Sequence, residues 1–212
     1  MSKTANVEIY NELKRRIVEL EYKPGDSINE KHLIEEFNVS RTPVREAIIK
    51  LSQIGLLEIR PRIGTFVTQI DLMSVKHAYE VKKNLEGLAA ELAAQRASDE
   101  VINELFAIVE RFEHINIVVD YKQCIIEDQK FHKLTREAAN NPILNNVLDE
   151  LNIKTARFLQ YINYVLEDRL WFQDSLRGIA TAIKNRDIDQ ARKATEEHTR
   201  IFLEQLSKRF FG

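Results

Sequence analysis

The 212-residue chain contains a single cysteine, Cys124, which excludes an intrachain disulfide framework and suits a reducing compartment. No stretch approaches the roughly 20 apolar residues that a membrane-spanning helix needs. The opening run Met1-Ser2-Lys3-Thr4-Ala5-Asn6-Val7-Glu8 lacks the apolar core of a secretory signal, so export is not expected and a cytoplasmic location is. Repeats and low-complexity tracts are absent. Neither sign of charge dominates: the net charge is −2, with 30% charged and 44% hydrophobic residues, a balance that fits a soluble globular protein rather than disorder.

That near-neutral average speaks against nucleic acid, but it hides local clustering. Residues 1–68 carry 11 Lys and Arg against 10 Asp and Glu, and residues 69–212 carry 20 against 23. Within the first part, Arg41, Arg45, Arg60 and Arg62 meet if their elements share a face. The length suits two domains.

What is present begins with an amphipathic helix, Ile9 to Leu20, carrying Ile9, Leu13, Ile17 and Leu20 on one face. Lys23-Pro24-Gly25-Asp26 breaks it with a turn. A short helix from Asn29 to Phe37 follows, with Asn29 as N-cap and Leu33, Ile34 and Phe37 as its apolar stripe. After Asn38-Val39-Ser40, either Ser40 or Thr42 can cap a third helix whose first turn tolerates Pro43. Its buried face is Val44, Ala47, Ile48 and Leu51, and Arg41 and Arg45 stand four apart on another face, with Glu46 placed to orient Arg45. Gly55 ends this helix, and two short strands flank a loop, Arg60-Pro61-Arg62-Ile63-Gly64. Together these predict a winged helix-turn-helix.

Beyond Asp71 the patterns are helical only. Leu85, Leu88, Ala89 and Leu92 mark one helix, Ile102 to Phe112 a second, Tyr121 to Ala139 a third, and Leu144 to Leu151 another after Asn140-Asn141-Pro142. A fifth runs from about Glu167 to Asn185 and a sixth from Ile188 to Phe210. The expected fold is mainly α: a winged helix-turn-helix domain over residues 1–70, then an all-helical antiparallel bundle of about six helices over residues 71–212.

Arginine at the start of a helix in the major groove can donate two hydrogen bonds to guanine, so Arg41 and Arg45 either read bases or clamp phosphates. Ser40 and Thr42 hydroxyls add phosphate contacts, and Lys31 reaches a flanking phosphate. The alternative is a solvated charged face. In the second domain Asp128 and His132 share a helical face, and His198 falls in a stripe with Ala191, Ala194, Ile201 and Phe202. A carboxylate and two imidazoles facing inward can hold a divalent transition metal such as zinc, although an isolated Asp-x-x-x-His pair is more often a surface hydrogen bond or a satisfied core histidine. Cys124 is read as packing. Lys82, on the inward face, either pairs with an effector carboxylate or neutralises Glu86. His32, His77 and His114 lack partners at ligand spacing and default to the surface. Trp171, Phe172, Tyr161 and Tyr164 are cavity-lining or core aromatics.

The first domain resembles the GntR family of bacterial transcription regulators over roughly residues 7–68. The likeness rests on Lys23-Pro24-Gly25, Leu33, Ser40-Arg41-Thr42-Pro43-Val44-Arg45-Glu46-Ala47, Gly55-Leu56 and Arg60-Pro61-Arg62-Ile63-Gly64-Thr65-Phe66-Val67. It implies a homodimer on a palindromic operator, with the recognition helix in the major groove and the wing tip in the minor groove. The family's DNA contacts fall on Lys31, Ser40, Arg41, Thr42, Arg45 and Gly64. The helical half is similar to the FCD subgroup, named for the FadR C-terminal domain, through Tyr79 to Ala90, Asp128-Gln129-Lys130-Phe131-His132 and Ile179 to His198. About six helices suggest its VanR-like branch.

In metal-binding members of the subgroup an aspartate and three histidines surround the ion beside a cavity for small organic acids. Asp128, His132 and His198 match three of those positions and Leu176 stands in the fourth, so water, an effector or a neighbour such as Gln173 would have to complete the site. The expected protein is an effector-controlled transcription factor, repression favoured over activation, answering to a small carboxylate-bearing metabolite. Two alternatives stand beside it: a metal-dependent hydrolase using Asp128, His132 and His198, for which no general base, nucleophile or nucleotide loop is evident, and a DNA-binding protein whose bundle only dimerises.

Overall fold

The computed structural model describes residues 2–116, 119–162 and 169–208. The chain divides into two compact units, Met1–Asp71 and Leu72–Gly212.

In the first unit α1 (Ser2–Val18) sets Ile9, Leu13 and Ile17 against α3 (Arg41–Gln53), which answers with Val44, Ala47, Ile48 and Leu51, all essentially buried. The first helix stops two residues before Leu20, which takes a left-handed φ of 61° and leaves the helical path. Between them lies α2 (Glu30–Glu36), opened by Asn29, whose side chain accepts from the His32 amide at 3.1 Å. Leu33 is its buried anchor.

A three-stranded antiparallel sheet completes the unit, in the order β1 (Ser27–Ile28), β3 (Gly64–Val67), β2 (Leu57–Arg60). Sequence patterning predicts β2 and β3 but not β1, because two residues are too few to display alternation. β1 exists because the Lys23–Asp26 turn is sewn to the end of β3: the Gly25 amide donates to the Val67 carbonyl and the Val67 amide to the Asp26 carbonyl, each at 2.9 Å. Gly25 takes φ 92° there, a conformation that side chains disfavour. The β2–β3 hairpin pairs Arg60 with Gly64 across a three-residue tip, where Arg62 takes φ 65°.

The second unit holds α4 (Leu72–Arg96), α5 (Asp99–Arg111), α6 (Tyr121–Ala138), α7 (Pro142–Tyr161), α8 (Arg169–Lys184) and α9 (Ile188–Leu206). Glu167 and Phe210, the expected ends of two of these helices, lie outside the described residues. Helix α4 is the central element, packed against α6, α7, α8 and α9. Its Gly87 permits close approach of α9, since an added Cβ would lie 2.9 Å from Glu196 Cγ. Tight turns set the register of the other helices. Asn140 (φ 47°) precedes Asn141, which caps α7 through the Leu144 amide at 3.2 Å, with Pro142 at the helix start. Arg186 (φ 59°) precedes Asp187, which caps α9 through the Gln190 amide at 3.0 Å.

Leu51 joins α3 to the α1 face with no exposed surface. Leu51→Ala is expected to cost about 2–5 kcal/mol in urea unfolding, the range for a buried leucine truncation whose cavity does not collapse; a loss below about 1 kcal/mol would contradict this packing.

Candidate DNA-reading surface and metal centre

Helix α3 has two faces of opposite character. While Val44, Ala47, Ile48 and Leu51 are buried, Arg41 and Arg45 keep 65% and 57% of their side-chain surface exposed. Ser40 is the N-cap by backbone geometry, but its hydroxyl makes no capping hydrogen bond, and Thr42 lies inside the helix rather than capping it. Lys31, Ser40, Thr42, Arg60, Arg62 and Gly64 are all exposed too. On the wing, the Arg60 guanidinium stacks 4.8 Å from the Phe66 ring centre and meets Glu58 at 2.8 Å.

Two details depart from expectation. Glu46 does not orient Arg45: its carboxylate accepts from the Asn6 side-chain amide of α1, and Lys50 donates to the other end of Asn6 at 3.1 Å. Instead Arg41 and Arg45 both donate through Nε to Glu30 Oε2, at 3.4 and 3.3 Å. Glu30 lies eleven residues from Arg41 in sequence, so no helical spacing signals the contact.

In the second unit α6 aligns Asp128, His132 and Arg136 at four-residue intervals, and α9 brings His198 to the same place. One potential ligand atom from each of Asp128, His132 and His198 lies within 4.8 Å of the others. Each imidazole has a polar group behind it, hydrogen-bonded in the case of His198 only. His198 Nδ1 is 2.7 Å from the Ser175 hydroxyl of α8, and Trp171 stacks on its ring at 5.8 Å between centroids. His132 Nδ1 faces Glu86 Oε2 at 3.7 Å, while its Nε2 lies 3.3 Å from Asp128 Oδ1. Asp128 Oδ1 and Glu86 Oε2 are both buried and receive no hydrogen bond among the described residues. Oxygen atoms stranded in this way beside two imidazoles fit a cation.

The cluster opens on a cavity of about 30 Å³ walled by Lys82, Asn152, Leu159, Phe172 and Phe202 among others. Lys82 Nζ donates to Asn152 at 3.1 Å and sits 3.8 Å from Glu86, so it both faces the cavity and balances Glu86. Burial holds the Lys82 ammonium below the usual lysine range. Burial by itself raises the Asp128 carboxyl, but His132, then His198 and Lys82, outweigh it and hold the group below its ordinary value. Burial, reinforced by His132, drives His198 down to about 3.

Of water, an effector and Gln173 as candidates to complete the site, Gln173 is engaged elsewhere. Gln173 is buried, but its amide donates to the Val109 carbonyl and to Glu113, both at 3.2 Å, and it does not line the cavity. Leu176 is fully buried. Of the aromatics, Phe172 lines the cavity, Tyr161 is 54% exposed rather than buried, and Tyr164 lies outside the described residues. Cys124 is buried, and His32, His77 and His114 are exposed. Asn152 and Ser175 are additions that spacing alone does not single out, whereas Glu86 stands one turn from Lys82 as the spacing predicts.

The winged unit matches the family described as bacterial regulatory proteins, gntR family, over residues 5–67, and the helical unit matches the FCD domain over residues 77–200. The chain belongs to the GntR family, FCD type. This GntR regulator is 34% identical to the transcriptional regulator YdhC of Bacillus subtilis (strain 168) over 164 residues, covering 77% of this chain and 73% of that protein. It is 28% identical to the transcriptional repressor RspR of Escherichia coli (strain K12), over 95% of this chain and 88% of that one. Its fold matches that of E. coli McbR/YncC with a TM-score of 0.81 at 22% identity, covering 97% and 98% of the two chains. The GntR regulator is thus a DNA-binding transcriptional regulator, and the hydrolase alternative falls with that membership. No helix among the described residues is long and apolar enough to cross a membrane.

Because folded His198 titrates at about 3 against 6.5 for the free side chain, the unfolded chain takes up a proton that the folded one refuses as pH falls below 6.5. The contribution of His198 to stability therefore declines from pH 6.5 downward. In chelator-treated protein, His198→Leu is expected to flatten the fall of unfolding free energy between pH 6.5 and 5; an unchanged slope would rule out a buried neutral His198.

Proposed function

We propose that this regulator binds a palindromic operator as a cytoplasmic homodimer, represses from it, and responds to a small carboxylate-bearing metabolite taken up by the helical unit. The observation that carries the DNA half is the split character of α3, with its apolar face sealed into the core and Arg41 and Arg45 left in solvent at its N-terminal end. Arginine there meets guanine O6 and N7 in the major groove, while Ser40, Thr42, Lys31 and the wing residues Arg60, Arg62 and Gly64 hold the phosphates and the minor groove. The repressor names of two relatives, RspR and the probable D-xylose utilization operon repressor of Paenarthrobacter nicotinovorans, support repression.

In the helical unit Asp128, His132 and His198 would hold a divalent metal such as zinc through three protein ligands, Leu176 offering no fourth donor. The ion supplies a concentrated positive charge able to receive a carboxylate oxygen. Ser175 fixes the His198 ring from its Nδ1 side, Glu86 faces Nδ1 of His132 at 3.7 Å, and Lys82 with Asn152 presents further donors toward an acid group. The cavity of about 30 Å³ is small beside an organic acid, and the proposed effector would enlarge it on binding. A ligand that binds only the opened bundle shifts the population toward that state, and DNA affinity changes to the extent that the two states differ on the operator.

On a duplex selected from a random pool by the unmodified protein, Arg45→Ala is expected to lose about 1–3 kcal/mol of binding and to tolerate base changes in the half-site. Retention of both affinity and sequence preference would sink the assignment. Zinc should raise the melting temperature of chelator-treated protein by mass action, and Asp128→Asn should abolish that rise. Equal zinc response in the two proteins would remove Asp128 from the metal site.

A further inference from the structure

We infer that Glu30 is a positioning residue for DNA reading, holding the guanidinium groups of Arg41 and Arg45 by their Nε edges so that their terminal nitrogens face outward. The inference rests on the assignment of those arginines as DNA-reading residues and names what orients them.

Glu30 is well placed to act as a fixed post. It is the first residue of α2, directly after the cap Asn29, and its backbone is anchored on either side by Ile28 in the sheet and Leu33 in the core, 6% and 1% exposed. Its own side chain is only 27% exposed although it carries a full charge. A carboxylate at a helix N-terminus is further favoured by the helix dipole. From this post a single oxygen, Oε2, receives Nε of both Arg41 and Arg45.

The choice of nitrogen is what gives the contact a reading function. A guanidinium has one Nε–H and two terminal NH₂ groups in a rigid plane. A carboxylate that takes the terminal pair blocks the fork; one that takes Nε leaves the fork open. The hydrogen bonds that Arg41 and Arg45 make among the described residues run through Nε, and none engages their terminal nitrogens. Each arginine therefore presents two parallel donors, the pattern that guanine O6 and N7 accept. The shared carboxylate also offsets the repulsion of two like charges one helical turn apart. Its negative charge, meanwhile, weakens the pull of the same arginines on arbitrary phosphates, which carry non-specific binding.

Orientation and charge move the two kinds of binding in opposite directions, and that makes the role testable. The full-length protein is titrated, at fixed salt, against the duplex it selects from a random pool and against a scrambled duplex of the same length and composition. An exposed ion pair contributes up to about 1 kcal/mol, so Glu30→Gln is expected to weaken the selected duplex by about fivefold. The scrambled duplex should be bound as well as before or more tightly. Glu30→Asp keeps the charge and the helix dipole but falls one methylene short of both arginines; it should lose the selected duplex without gaining on the scrambled one.

Tighter binding of both duplexes by Glu30→Gln would reduce Glu30 to a screening charge and overturn the inference. Weaker binding of both with a lowered melting temperature would make it a merely structural residue and overturn the inference too. An Asp variant indistinguishable from the parent on the selected duplex would overturn it as well. Arg45→Ala measured alongside separates the two levels. If Arg45→Ala binds both duplexes like the parent, the DNA-reading assignment itself fails; if Arg45→Ala is weakened and Glu30→Gln keeps the parent's selectivity, only the role of Glu30 fails.

Discussion

Burying several ionisable groups in one helical core is the constraint around which the second unit is built. Glu86 and Arg136 have side chains 1% and 2% exposed and meet at 3.1 Å, with Asp149 at 3.3 Å on the other side of Arg136. His132 and Lys82 lean on the same Glu86 carboxylate. Charges taken out of water cost several kcal/mol each unless they are paired, and removing one partner strands the other. The four-residue spacing on α6 and the Lys82–Glu86 spacing on α4 thus commit two helices to one mutual orientation. Helix α9 joins them where Gly87 lets it approach, delivering His198 to the cluster.

The network leaves a particular imbalance. Among the described residues Glu86 Oε2 and Asp128 Oδ1 receive no hydrogen bond, and Arg136, paired through both terminal nitrogens, leaves Nε without an acceptor. The core around His198 keeps that imidazole neutral, the form in which it can ligate. A packed interior with two buried oxygen atoms that receive no hydrogen bond, set beside two imidazoles, is poised for an ion. In the winged unit a carboxylate plays a comparable part at the surface: Glu30 holds two guanidinium groups much as Glu86 gathers Lys82, His132 and Arg136. The consequences differ because solvent differs. At Glu30 the pairing is worth little to stability and acts through direction, whereas at Glu86 it bears on whether the bundle folds.

The winged unit was legible from residues 9–67 to a large extent, because caps, turns and apolar periodicity are local. Asn29, Gly55, Asn141 and Asp187 each occupy the terminus that their chemistry suits. Local rules also mark where the reading failed. Leu20 matches the apolar period of α1, yet the chain has already turned away at that residue. β1 is defined by its partner strand and has no pattern of its own. Gln173 sits one turn before Leu176 and therefore on a neighbouring azimuth, but α8 directs its amide to Val109 and Glu113. Ser175, adjacent to Leu176, turns toward His198.

By itself the sequence determined the two kinds of domain, the exposure of Arg41 and Arg45, and the alignment of Asp128 with His132. All of these follow from spacings shorter than two helical turns. Only the tertiary structure decided which charges meet. Glu86 reaches Arg136 across 50 residues and Lys82 reaches Asn152 across 70, while Glu30, not the adjacent Glu46, takes Arg41 and Arg45. Backbone propensity acts along the chain and leaves its trace in local order. Pairing of buried or converging charges acts through space, between residues whose separation in sequence carries no information about their distance.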